Sequence, residues 1–187
     1  MQIQFGPCLL ELTRGDITAQ ETDAIVNAAN AALAGGGGVD GAIHKAAGPS
    51  VMEECEKLYP DGCPTGSAVA TSAGQLGCKH LFHAVGPVWS GGRSDERTKL
   101  ASAYTECLQL ARKHGCNSIA FPAISTGAYS YPVDMAAAHS LEAVRDFLIE
   151  HKAPEHVRFV LYSGGIYGAF AYALDQLIAA GNGKPGE

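Results

Sequence analysis

Nowhere does the chain run apolar for the roughly 18 residues that crossing a bilayer requires. Its first residues also lack a basic stretch followed by an apolar one, so a cytoplasmic protein with no membrane attachment is expected. Cations are scarce: 13 Lys and Arg stand against 19 Asp and Glu, for a formal charge of −6. That balance argues against a protein that lives by neutralising long stretches of nucleic-acid phosphate, which takes clustered Lys and Arg. A bound nucleotide would be a small one. The six cysteines (Cys8, Cys55, Cys63, Cys78, Cys107 and Cys116) contain no C-x-x-C pair, and 187 residues supply a core without disulfide staples. They read as reduced, mostly buried thiols. G-K-[ST] and G-x-S-x-G are absent too, which removes a P-loop and a nucleophile-elbow hydrolase.

What is present is an alternation of short apolar runs with helical patterns. Leu9 to Leu12, Ala24 to Val26, Leu81 to Val85, Ser118 to Phe121 and Val157 to Tyr162 read as strands of a largely covered sheet. Helical patterns occupy Val39 to Ala47, the region around Pro49 to Leu58, Glu96 to His114, Pro132 to His151 and Ile166 to Ala180. Pro49 and Pro132 stand where helices start, and Gly115 reads as a left-handed cap. The order means α/β. With 47% hydrophobic and 17% charged residues the chain holds one good core, so one domain over 1–180 and a frayed tail over 181–187 are expected.

Residues 24 to 40 carry most of the chemical information. Asn27 and Asn30 leave a strand, Gly35 to Gly38 strip away side chains, and Asp40 appears where a helix begins. Gly36-Gly37-Gly38-Val39-Asp40-Gly41 matches G-x-G-x-x-G in form. A dinucleotide-binding turn, however, follows its strand almost at once, and here Asn27 to Ala34 intervene. The acidic residue that should end a second strand is also missing, since Glu53, Glu54 and Glu56 lie in a helical pattern. The glycines instead permit positive φ and close approach to a ligand, and the following helix offers free N–H groups to a diphosphate. Each Asn presents a donor and an acceptor, the complement of vicinal ribose hydroxyls, although Asn is also common in strand-ending turns. Asp40 reads either as a cap of its helix or as a general base holding a water against the ligand. His44, one turn on, either orients Asp40 or pairs with it.

A second loop, Ser125-Thr126-Gly127-Ala128-Tyr129, follows the strand ending at Phe121. It reads equally as a phosphate wrap with Tyr129 over a sugar and as an ordinary strand-to-helix connection. Cys78, His80 and His83 suggest zinc by spacing alone, but the two imidazoles fall on opposite faces of a strand, so no metal site is expected.

Taken together, Arg14-Gly15-Asp16-Ile17-Thr18, the Asn27 to Asn30 stretch, Gly35 to His44 and Ala47-Gly48-Pro49 resemble a macrodomain. The likeness continues through Thr65 to Ala68, His83 to Trp89 and Phe121 to Gly127, and so covers nearly the whole chain. It is similar to the MacroD-type branch and in particular to its bacterial O-acetyl-ADP-ribose deacetylases. The resemblance implies a three-layer α/β/α domain around a mixed sheet of about six strands, with ADP-ribose across the carboxyl ends of the strands. By the same resemblance Asp16 accepts from the adenine amino group beside the Ile17 backbone, and Tyr162 stacks on the adenine. Gly37, Gly38 and Val39 line the diphosphate and distal ribose, and Ser125, Thr126, Gly127, Ala128 and Tyr129 close over the phosphates. Asn30 holds the distal ribose, and Asn27 helps it or acts structurally. Asp40 matches the family's catalytic aspartate, which activates a water, and no cofactor is implied.

Two departures stand out. Gln75-Leu76-Gly77-Cys78 replaces a Leu-Pro, and Ser163-Gly164-Gly165 replaces a polar or acidic stretch beside the adenine. The implied function is a hydrolase that deacetylates O-acetyl-ADP-ribose, removes mono-ADP-ribose from acidic side chains of proteins, or does both. The alternatives are a non-catalytic ADP-ribose reader and a protein-binding regulator, with ribonuclease III as the partner the resemblance names.

Overall fold

A computed structural model describes residues 1–181 and 184–185. Its sheet has seven strands, one more than the number expected: β1 (Gln2–Phe5), β2 (Cys8–Arg14), β3 (Ala24–Ala28), β4 (Ala68–Ser72), β5 (His80–Ala84), β6 (Ser118–Phe121) and β7 (His156–Leu161). They lie in the order β4-β5-β3-β6-β7-β2-β1, and Lys184–Pro185 pairs with β1 as a two-residue addition. Apart from Gly181 and that pair, the tail expected at 181–187 lies outside the described residues.

The two strands that the sequence reading passed over are the outer ones. β1 reads Gln-Ile-Gln-Phe, only four residues, and is joined to β2 by the two-residue turn Gly6-Pro7 with Gly6 at φ +59°. β4 reads Ala-Val-Ala-Thr-Ser and lacks bulky β-formers; antiparallel pairing with β5 holds it in place.

Among the described residues five α-helices complete the fold: α1 (Gly38–Ala47), α2 (Ser50–Leu58), α3 (Glu96–Lys113), α4 (Val133–His151) and α5 (Gly164–Ala179). They cover both faces of the sheet, as alternation along the strands shows. Val26, Phe82, Phe121 and Phe159 pack with Leu100, Tyr104, Leu141 and Phe170 of α3, α4 and α5. Their neighbours in sequence, Ile25, Leu81, Ala120 and Val160, pack with Ile43, Val51 and Cys55 of α1 and α2. Strands buried on both faces need near-continuous apolar sequence, which is why β3 and β6 were legible as such. Among the described residues no helix is long and apolar enough to cross a membrane.

The central strands β5, β3, β6, β7 and β2 are mutually parallel. Their carboxyl ends therefore share one edge, where the loops after Ala84, Ala28, Phe121, Leu161 and Arg14 stand side by side. Three strand spacings separate β3 from β2, about 14 Å at the usual interstrand distance.

Candidate active site

At the β3 end of that edge, α1 starts at Gly38 with Gly37 as its N-cap and no side-chain cap bond. Asp40 thus does not cap its helix. It lies in the first turn, only 6% exposed, with its carboxylate turned down toward the sheet. Asn27 Nδ2 donates to Asp40 Oδ1 at 2.6 Å, and His44 Nε2 stands 3.4 Å from the same oxygen. Asp40 Oδ2 has no partner, and a Cβ built on Gly36 would stand 3.3 Å from it. One carboxylate oxygen is held from below while the other faces the glycine run, next to the helix N-terminus.

The glycine run is shaped by contacts as well as by torsions. Gly35 and Gly38 take φ values of +74° and +57°, which L side chains rarely adopt. A Cβ on Gly41 would come 2.6 Å from the Gly36 carbonyl oxygen, so only glycine at 41 lets the loop lie against α1. At Gly37 and Gly38 an added Cβ meets nothing within 4 Å, and both residues are exposed. Val39 is half-buried beside them. Asn30 braces the loop: its Nδ2 donates to Gly35 O at 2.7 Å and its Oδ1 accepts from Ala34 N at 3.1 Å. One N–H and one lone pair remain for a ligand. Asn27, by contrast, is fully buried under Asp40 and has no open side toward the cleft.

The second loop leaves β6, whose exit is pinned by buried Tyr104. Its hydroxyl donates to Pro122 O and accepts from Ile124 N, both at 3.0 Å. Ser125 follows at φ +68°, buried, with its Oγ unpartnered. Thr126 Oγ1 donates to Ala123 O at 2.8 Å, and Tyr131 N donates to Ser125 O at 3.0 Å. Gly127 and Ala128 are exposed at the tip. Tyr129 O accepts from Trp89 N at 2.9 Å, tying this loop to the one after β5. A non-glycine residue in the left-handed region beside an unpaired hydroxyl is strain of the kind that functional loops carry.

The far end of the edge is different in character. Arg14, Gly15 and Tyr162 line an open cleft of about 540 Å³, and Tyr162 is 81% exposed. Beside it Asp16 starts a single 3-10 turn, Ile17–Ala19, with Oδ1 accepting from Thr18 N at 2.8 Å and Thr18 Oγ1 at 2.7 Å. Its Oδ2 is left toward solvent. Ile17 is buried against α1, so its backbone is what the cleft meets. Gln20 Nε2 donates to Asp16 O at 2.9 Å and is itself tied to Arg158, which fixes the turn.

Beneath Asp40 lies a polar layer that the sequence reading did not assign. Asn27 and His83 are register partners on β3 and β5 and face α1 together. His80 lies on the opposite face, its ring 4.6 Å from that of His114. Burial, with His44 beside it, pushes the His83 imidazole down to about 4. All six thiols are free, and burial raises each, that of Cys55 to about 11. Only Cys78 is not fully buried.

The family described as Macro domain matches residues 26–140. An O-acetyl-ADP-ribose deacetylase of Citrobacter koseri is 53% identical over 82% of this chain and 88% of its own. Among solved structures, the Oceanobacillus iheyensis macrodomain with ADP aligns at a TM-score of 0.92 and 40% identity, covering 96% of this chain and 97% of that one. The Trypanosoma brucei macrodomain in complex with ADP-ribose aligns at 0.82 and 38%, over 88% and 68%. The glycine run at the carboxyl end of β3 in a mixed sheet, with a family match across it, shows that the chain belongs to the Macro domain family.

Proposed function

We propose that the chain is an ADP-ribose-binding hydrolase that cleaves the acetyl ester of O-acetyl-ADP-ribose and the ester joining mono-ADP-ribose to acidic side chains of proteins. The observation that carries the reading is Asp40: a buried carboxylate with one oxygen fixed and the other unpaired toward the glycine run. An aspartate spent on capping would suit a reader that only binds, and Asp40 is not spent that way.

The sheet edge fits a two-headed ligand. Tyr162 and Asp16 offer a stacking face and an acceptor to the adenine, with the Ile17 backbone beside them. About 14 Å along, Asn30, Gly37, Gly38 and Val39 meet the distal ribose and diphosphate. Ser125 to Tyr129 supply the second phosphate face, and the N-terminus of α1 favours the negative charge.

Asp40 Oδ2 takes a proton from a water, whose oxygen attacks the acetyl carbonyl carbon. The tetrahedral intermediate collapses, the ribose oxygen leaves with the proton that Asp40 took, and ADP-ribose and acetic acid, which ionises to acetate, result. With an acidic side chain as the substituent, the same water attacks the anomeric carbon and the carboxylate leaves. Positioning carries much of the rate in either case, because the ligand fixes both electrophile and water.

Side-by-side turnover of O-acetyl-ADP-ribose and a protein mono-ADP-ribosylated on glutamate tests this. Release of ADP-ribose from both is expected. Tight ADP-ribose binding with turnover of neither would establish a reader instead.

A further inference from the structure

The buried layer under Asp40 has an internal logic of donors and acceptors that extends to the edge of the sheet. Thr71 Oγ1 donates to Ser72 O at 2.9 Å, so its lone pair is what His83 Nε2 meets at 2.9 Å. His83 therefore carries its proton on Nε2, and Nδ1 is an acceptor. Asn27 Nδ2 lies 3.2 Å from that Nδ1 and 2.6 Å from Asp40 Oδ1. Its two N–H bonds serve the two acceptors. A flipped Asn27 would set its carbonyl against both a carboxylate oxygen and an imidazole lone pair, which is repulsive twice over.

We propose that His83 is a positioning residue for hydrolysis: with its proton on Nε2 and its lone pair on Nδ1, it locks the Asn27 amide so that an N–H points at Asp40. This rests on the reading of Asp40 as the base. The consequence for the reaction is twofold. Asp40 Oδ1 keeps a permanent donor, and the unpaired Oδ2 is held toward the glycine run.

Among the described residues no charged group hydrogen-bonds His83 directly. Asn27 faces it from β3 and Thr71 from β4, and both are neutral. Cys55 of α2 lies 3.7 Å from Nε2, its thiol raised by burial. His44 of α1 stacks on it with ring centroids 6.0 Å apart, and Asp40 reaches it only through Asn27. Burial and the neighbouring imidazole both oppose protonation, in line with the lone pair at Nδ1.

The test has two arms on the full chain. Nitrogen NMR of the histidines in the parent protein is expected to show His83 as the neutral Nε2–H tautomer at pH ~6. The Nδ1–H tautomer or an imidazolium there would overturn the proposal. In the second arm His83→Leu should lower kcat for O-acetyl-ADP-ribose about tenfold. Its KM and ADP-ribose affinity should stay within about twofold, because no ligand contact is lost. His83→Asn, whose carbonyl falls near the Nδ1 position, should restore most of the loss. An unchanged kcat in His83→Leu, with Asp40→Ala inactive, would refute His83 and leave the base intact. Full activity in Asp40→Ala would refute the base itself. Should His83→Leu not fold, the tautomer in the parent decides.

Discussion

Gly86 and Ser125 are packed so closely that a side chain at 86 would occupy the space of the Ser125 hydroxyl, and Ile124 closes the other side. The loop after β5 and the loop after β6 are thereby set against each other, with Ser125 held at φ +68°. Gly86→Ala should therefore displace the Ser125 loop. About 1–3 kcal/mol of stability should be lost by overpacking, together with most affinity for ADP-ribose. Thermal melting and calorimetry check both; unchanged affinity would mean that the loop does not touch the phosphates.

Glu96 gives a pH dependence. Its carboxylate is 1% exposed and accepts from Ser90 N at 2.9 Å, Ser90 Oγ at 2.8 Å, Gly92 N at 3.1 Å and Ser94 N at 2.7 Å. Burial pulls its pKa upward, but the donors from Ser90 and Ser94 outweigh that and bring it from 4.5 down to about 2. A depressed carboxyl stabilises the fold fully above its unfolded value and progressively less as pH falls below it. Thermal midpoints should thus fall as pH drops from 4.5 toward 2. In Glu96→Gln that slope should flatten, and the Ser90–Ser94 segment should become more protease-sensitive at neutral pH. An identical slope in the variant would remove Glu96 from the account.

Tyr162 is 81% exposed at the cleft of Arg14 and Gly15. Because its ring supports little of the core, Tyr162→Ala should leave the melting temperature almost unchanged. It should weaken ADP-ribose by about 1–3 kcal/mol, the usual worth of a base stacked on an aromatic ring. Maximal turnover should persist at saturating substrate. Unaltered affinity would place the adenine elsewhere.

Gly38 opens α1 at φ +57°, with open space where a side chain would go. Gly38→Glu would add left-handed strain of about 1 kcal/mol and a negative charge at the helix N-terminus. The fold should survive, while ADP-ribose binding drops below detection. Retained affinity would contradict the diphosphate assignment.

Much of the fold was legible because parallel strands covered on both faces must be apolar throughout. Ser118–Phe121 was located to the residue, and the other four expected strands to within two residues at either end. β1 and β4 escaped because edge strands need less apolar sequence, and pairing with β2 and β5 supplies what composition does not. Within the site, Asn27 and Asn30 look alike in sequence, yet burial divides them: one supports Asp40 from below and the other braces the glycine run. His83 was visible only as a failed zinc ligand, since its partners Thr71 and Asn27 lie 12 and 56 residues away. Gly86 was unreadable for the same reason, since the Ser125 it packs against is distant in sequence; the partners of Glu96 are local, but its role appears only once Ser90, Gly92 and Ser94 fold back to donate to it.

In the proposed mechanism Asp40 activates water without being needed to hold the ligand. The most direct test is Asp40→Ala, with ADP-ribose affinity measured by calorimetry and kcat measured on O-acetyl-ADP-ribose. Affinity within about threefold of the parent is expected, with kcat lower by about 100-fold or more, the usual contribution of a general base. Turnover at the parent rate, with affinity intact, would contradict it.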